Sequence, residues 1–165
     1  MGSLSRVGIL TPLAVKIGAV SWMPKMLPFI EKSDVGLQRV TKGRVSVLDI
    51  AGLPNIVLRV PGRKTGTMRS TPLLCALKDD GWLIAGSYFG NPEMPSWVLN
   101  LRACETAEIV HRGKTLKVNW REVTGPERDE VWKILLDTWP NFAIYEERTE
   151  RLIPVFFLSR VTADS

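Results

Sequence analysis

The chain has 165 residues, 45% hydrophobic and 24% charged, with a formal net charge of +5 and a pI near 9.5. That length and composition fit one folded domain with a sizeable core, and they exclude a disordered or low-complexity chain. The basic balance suits an anionic partner (nucleic acid, anionic lipid or a small anion) without choosing among them.

Two cysteines, Cys75 and Cys104, cannot make a zinc site alone, and neither sits in a CxxC pair. They predict reduced, buried thiols and a reducing compartment. His111 is the only histidine, so a Ser-His-Asp or Cys-His triad would have to use it. The segment "AEIVHRG" places it at a solvent-facing strand end.

Residues 7–30, "VGILTPLAVKIGAVSWMPKMLPFI", are very apolar but carry Lys16, Lys25, Pro12, Pro24 and Pro28. A spanning helix wants ~20 apolar residues with few charges, so no transmembrane helix is expected. Lys16 also breaks the apolar region that a signal peptide needs, and Arg6 stands where a myristoylation signal wants Ser or Thr. Two readings stay open: a helix covering the core, which we favour, or an interfacial segment resting on a membrane. The expected division is 1–35 as this apolar segment and 36–165 as the main domain. The expected location is cytoplasmic, either free or peripheral to the inner face of the cell membrane.

After a polar stretch at 31–44 the chain turns to strands. "NIVLRV" (55–60) is β-branched and short. "RSTPLLCAL" (69–77) is a second strand, with Pro72 demoting it to an edge or a bulge. "KDDG" (78–81) signals a hairpin turn, and "WLIAGSYFG" (82–90) begins as strand and ends in a glycine-flanked loop. "PSWVLNLRAC" (95–104) reads as a short helix with Pro95 at its start. Residues 106–123 are two strands about the turn Arg112-Gly113-Lys114.

"TGPERDEVWKILLDTW" (124–139) is the best helix in the chain, with Thr124 and Glu127 placed for a capping box and Pro140 as the stop. "NFAIYEERTERL" is a further helix or loop, and 153–161 is a closing strand. Short antiparallel hairpins with helices inserted late predict an α+β fold built on a small β-barrel with peripheral helices. Trp82 and Trp120 lie on these strands but are spaced as core residues, so no nucleic-acid partner is expected.

The chemistry gathers at "PGRKTGTMR" (61–69), where Arg63, Lys64 and Arg69 crowd a glycine-bounded turn. A Walker P-loop needs GxxxxGK with Ser or Thr and then a helix; here the order is Gly62-Arg63-Lys64-Thr65-Gly66 and strand follows. No GxGxxG follows a strand either. Two arginines can grip carboxylate or phosphate bidentately while Lys64 adds a point charge, although such a turn taken alone is more often a solvated hairpin tip. No metal-ligand cluster or paired carboxylates at acid/base spacing stand out, so no metal is expected.

Taken in order, the GRKTGxxR turn, then Pro72-Leu73, "IAGSYFGNPEMPSW", the PxWxxNL helix with Trp97, Asn100 and Leu101, and "WPNFAIYEERTERLIPV" resemble the deazaflavin-dependent nitroreductase family of coenzyme F420-dependent reductases. The resemblance runs from about residue 36 to 160. It implies a split β-barrel related to the FMN-binding pyridoxamine oxidases, and F420 as the cofactor, with FMN as the lesser alternative. F420 carries a phosphate and a polyglutamate tail. The resemblance assigns that tail to Arg63, Lys64 and Arg69, helped by the Thr65 hydroxyl and backbone N–H groups around Gly66. It brings Pro72, Leu73, Tyr88 and Trp97 to the cofactor groove and Ser87 near the deazaflavin ring.

Members close to the family prototype show a "SKGG" loop, where this chain has Ser87-Tyr88-Phe89-Gly90. A cation and a glycine have become two aromatics, which implies a lost tail contact and a narrower, more apolar space by the ring. The expected reaction is hydride transfer from reduced F420 to a small activated acceptor: an α,β-unsaturated carbonyl, a quinone or a nitroaromatic. Tyr145 is the expected proton or hydrogen-bond donor and Ser87 the second candidate. The alternative function is a non-catalytic carrier of F420 or of a lipid.

Overall fold

The computed structural model describes residues 53–162. The expectations for the apolar N-terminal segment, and the boundary at 35/36, lie outside the described residues. Seven strands form one antiparallel sheet: β1 (Asn55–Pro61), β2 (Met68–Leu74), β3 (Ala76–Lys78), β4 (Gly81–Ala85), β5 (Thr106–His111), β6 (Lys114–Val123) and β7 (Val155–Arg160). Their spatial order is β2-β1-β5-β6-β7-β4-β3. Among the described residues three α-helices accompany them: α1 (Ser96–Arg102), α2 (Gly125–Thr138) and α3 (Phe142–Arg148).

The strand order explains the shape. β2 and β3 are the two edges of the sheet, yet only Cys75 separates them in the chain. One residue spans at most ~3.6 Å, so the sheet must curl until its edges almost meet. This is the half-barrel of a split-barrel, α+β fold. It also corrects one expectation. Residues 69–77 are not a single strand: the ladder breaks at Cys75, whose N–H bonds Pro54 O at 3.0 Å, and the chain crosses from one edge to the other. Pro72 does sit on an edge strand, opposite Val57, where its missing N–H costs the least.

Period-2 alternation divides the core. From β4, Trp82 and Ile84 face one cluster with Ile56, Leu58, Val60, Trp97, Val98, Leu101, Phe156 and Leu158. Leu83 and Ala85 face the other, with Val131, Trp132, Leu135, Trp139, Phe142, Tyr145 and Val155. Thus α1 closes the first cluster, while α2 and α3 close the second. At the β5–β6 turn Arg112 and Gly113 take φ of 50° and 77°, the left-handed pair of a tight hairpin.

Two smaller expectations are corrected. Thr124 is the N-cap of α2, but its side chain makes no cap bond. Glu127 has turned instead to Arg121, with Oε1 and Oε2 accepting from Nη2 at 2.6 Å and Nη1 at 2.9 Å, and this pairing lowers the Glu127 pKa. His111 does not simply face solvent. It is half-buried, edge-on to the Trp82 ring at 5.4 Å, with Nδ1 3.4 Å from Asn55 O.

Candidate functional site: a cationic groove along the edge strand

A cavity of about 1100 Å³ lies along β2 and the β1–β2 turn. Cross-strand neighbours share a face, so Arg69 and Thr71 lie on the side of Val60 and Leu58, whereas Ser70 and Pro72 lie on the side of Arg59 and Val57. Six of these eight residues border the cavity, all but the core-facing Val60 and Leu58, so the groove wraps around the open edge strand. Its remaining walls come from Tyr88, from the start of α1 with Trp97 and Asn100, and from the β5–β6 hairpin with Gly113 and Thr115.

Among the described residues, four cations line it, Arg59, Arg63, Lys64 and Arg69, and no carboxylate does. Arg59 meets Glu108 at 3.4 Å on a half-exposed pair. None of the ion pairs found among the described residues involves Arg63, Lys64 or Arg69. A large cavity with uncompensated positive charge is an anion site by the sign of its field.

The turn that carries these charges is built, not loose. Gly62 N–H bonds Thr67 O at 2.8 Å and Gly66 N–H bonds Gly62 O at 2.8 Å. Gly66 has φ +71°, a conformation that glycine adopts without strain. Thr65 Oγ1 accepts from Thr67 N–H at 3.2 Å. Two groups expected to face a ligand are therefore engaged in the turn itself: the Gly66 N–H fully, and the Thr65 oxygen as acceptor. A Cβ on Gly62 would stand 3.6 Å from Arg69 Nε, so the Arg69 side chain folds back along the turn.

Asn100 fixes the turn to the body of the protein. Its Oδ1 accepts two bonds from Arg63, from the backbone N–H at 3.1 Å and from Nη1 at 2.9 Å. Asn100 is buried on α1 among Trp97, Val98 and Leu101. A buried side-chain oxygen must find donors; this one finds both in the cationic turn. Sequence reasoning placed Asn100 in a motif without giving it this role. The signal was there, as a polar residue on the apolar face of a short helix.

Of the residues singled out from the sequence, Arg63, Lys64, Thr65, Arg69, Pro72, Tyr88 and Trp97 meet at this groove. Trp97 serves both as wall and as core, edge-on to Phe156 at 5.8 Å. Leu73 packs against the first core and does not border the groove. Ser87 precedes Tyr88 but does not border it either; its carbonyl accepts from Arg151 Nη2 at 3.0 Å.

Tyr145 is placed elsewhere. It is 2% exposed in the second core, its hydroxyl accepts from Trp139 Nε1 at 3.2 Å, and its ring stands edge-on to Phe89 at 5.5 Å. Burial raises its pKa, so the phenol stays protonated. The structure thus sets Tyr145 in the second core, against Phe89 of the loop that carries Tyr88, and not on the groove.

The sequence model of the F420H(2)-dependent quinone reductase family matches residues 31–160. The chain belongs to this family. An F420H(2)-dependent quinone reductase of Mycobacterium tuberculosis (strain ATCC 25618 / H37Rv) is 33% identical over 127 residues, which is 75% of this chain and 85% of the relative. Among solved structures, an F420-H2 dependent reductase (FDR-A) superposes with a TM-score of 0.59 at 33% identity, over 64% of this chain and 94% of that one. A structure described as a domain-swapped dimer gives a TM-score of 0.61 at 29% identity, over 75% of this chain and 94% of its own. The family is one of F420-dependent oxidoreductases, and its cofactor is F420.

Proposed function

We propose that this protein reduces quinones with F420H2, holding the anionic part of the cofactor on Arg63, Lys64 and Arg69. The observation that supports it is the groove's donor set: among the described residues, four cations and no carboxylate around about 1100 Å³. This set fits a cofactor with a phosphate and a chain of carboxylates. It would be a poor match for a neutral ligand, since unpaired cations around an uncharged molecule gain nothing. When bound, reduced F420 supplies a two-electron hydride donor.

The chain's own residues supply the rest. Arg63 and Arg69 offer planar forks for phosphate or carboxylate oxygens, and Lys64 adds a compact charge. Asn100 holds one end of the Arg63 guanidinium, so less side-chain freedom is lost when a ligand binds. Tyr88, Trp97 and Pro72 give flat, apolar walls suited to planar rings. Conversion of a quinone to a quinol needs one hydride and one proton. Ser70, Thr71 and Tyr88, which border the groove, carry hydroxyls that can donate or relay that proton. Enones and nitroaromatics, which accept hydride by the same polarity, are secondary acceptors. Contact with a membrane surface through the N-terminal segment, at a cytoplasmic location, would bring a lipid-soluble quinone within reach.

The test is a fluorescence titration of the purified protein with F420 and with FMN, followed by oxidation of F420H2 with menadione. Binding of F420 but not FMN, weakened by salt, with menadione-dependent oxidation, is the expected result. Preference for FMN, or no menadione-dependent oxidation above the uncatalysed rate, would overturn the proposal.

A further inference from the structure

The loop after β4 carries Tyr88, the aromatic wall of the groove, and it does so in an unfavourable backbone. Tyr88, Phe89 and Gly90 all have positive φ, 47°, 54° and 79°. Glycine takes that region freely, but a side chain there is strained. Two consecutive aromatics persist in it only if something outside the loop holds them.

Arg151 is that something. It follows α3, far from the loop in sequence, and its guanidinium spends all three nitrogens on the loop's carbonyls. Nε donates to Asn91 O at 3.0 Å, Nη1 to Gly86 O at 2.9 Å and Nη2 to Ser87 O at 3.0 Å. The carbonyls of 86, 87 and 91 bracket the strained residues on both sides. Arg148 adds a fourth bond inside the bracket, Nη1 to Phe89 O at 3.3 Å. The loop also lies hard against α3: a Cβ on Gly90 would come within 2.7 Å of Tyr145 O and of Arg148 Cβ. Burial lowers the Arg151 pKa, consistent with a guanidinium withdrawn from water to serve these carbonyls. Arg151 itself does not border the groove.

We propose that Arg151 is a positioning residue of the groove: by clamping the carbonyls of 86, 87 and 91 it holds Tyr88 in the strained pose that forms the wall against the cofactor and acceptor. The proposal rests on the reading of the groove as the F420 site. A lysine cannot replace this arginine, because one ammonium cannot reach three carbonyls that a planar fork spans. The clamp thus compensates for the aromatic residues that this chain carries in place of a cation and a glycine.

The experiment is a double-mutant cycle with Arg151→Met, Tyr88→Ala and the pair, read as kcat/KM for F420H2 with menadione. A hydrogen-exchange measurement on each protein without cofactor accompanies it. Arg151→Met should lower kcat/KM at least tenfold, and Arg151→Lys should not restore it. In the Tyr88→Ala background the same Arg151 change should cost less than threefold, because a residue acting through Tyr88 has nothing left to position. The Gly90 and Asn91 amides, bonded to Ser87 O and Tyr88 O, should exchange at least tenfold faster in Arg151→Met, while amides of the β5–β6 hairpin keep their rates. Multiplicative losses in kcat/KM, or faster exchange with unchanged turnover, would reduce Arg151 to a structural role and overturn the proposal. If Arg151→Met fails to fold, Arg151→Lys carries the cycle. If the wild type does not oxidise F420H2, the functional reading falls, and unchanged exchange would sink the clamp by itself.

Discussion

Asn100 offers the sharpest test of the groove because two substitutions there separate stability from charge. In Asn100→Ala the Arg63 backbone N–H loses its acceptor, and so does Nη1. A net hydrogen bond is worth ~1 kcal/mol, and Arg63 is exposed enough for water to replace much of the second. The expected cost is about 1–2 kcal/mol, or about 3–8 °C in Tm for a domain of this size. The turn also loses its anchor, so F420 must order it on binding, and affinity should fall about tenfold. Asn100→Asp behaves differently. It keeps an acceptor for Arg63 and makes an ion pair at a buried position, where desolvation of the carboxylate offsets much of the Coulombic gain, so Tm should change little. It also places a negative charge in a groove whose described lining has none, and a like-charge penalty of about 1–2 kcal/mol would weaken F420 roughly five- to thirtyfold. Thermal melts and F420 titrations at low and high salt measure both. If Asn100→Ala loses Tm but binds F420 as tightly as wild type, the pose of the turn is irrelevant to binding. If Asn100→Asp binds as tightly, the anion does not sit by Arg63.

The other perturbations act at separate points. Arg63→Ala, Lys64→Ala and Arg69→Ala should each weaken F420 about tenfold to a hundredfold, at ~1.5–3 kcal/mol per charge-assisted contact. They should leave a deazaflavin riboside without phosphate or tail unaffected, and equal weakening of both ligands in a titration would refute the tail assignment. Tyr145→Phe removes the acceptor of a buried Trp139 N–H, so denaturant unfolding should show a loss of about 1–3 kcal/mol with little change in turnover; a tenfold fall in kcat at unchanged stability would return Tyr145 to the chemistry. Burial pushes the Cys75 thiol from about 9 up to about 12. A raised folded-state pKa gives stability that is complete below the unfolded value and is lost as pH climbs toward the folded one. Unfolding free energy should therefore decline between about pH 9 and 12, by up to roughly 4 kcal/mol, and Cys75→Ala should flatten that limb. Native Cys75 should also resist thiol reagents at pH 8, and rapid labelling there would contradict its burial.

How far the sequence reaches depends on whether a feature is decided locally. The β5–β6 hairpin was legible almost to the residue, because alternation on both sides and Arg112-Gly113 at the tip fix register without outside help. The break at Cys75 was not. It depends on which partner each half of 69–77 finds, and those partners lie on opposite edges of a curled sheet. The cap at Thr124 failed for a related reason: Arg121, on the preceding strand, outbids the helix terminus for Glu127 through two charge-assisted bonds.

The groove divides along the same line. Arg63, Lys64 and Arg69 could be proposed as a site only through the family resemblance, because a cationic glycine-bounded turn taken alone is more often a solvated hairpin tip. Tyr145 could not be resolved, since a tyrosine suits a pocket wall and a core equally until the partner of its hydroxyl is known, and that partner, Trp139, lies on the core side. Arg151 shows the limit most clearly. Nothing in "ERTERLIPV" distinguishes one arginine from another; only the strain at Tyr88 and Phe89, visible once backbone angles are known, creates the demand that Arg151 meets. A sequence states which groups are present. Which of them is obliged to act follows from where the fold leaves a cost uncompensated, and here that cost lies in two aromatic residues held where glycine would rest freely.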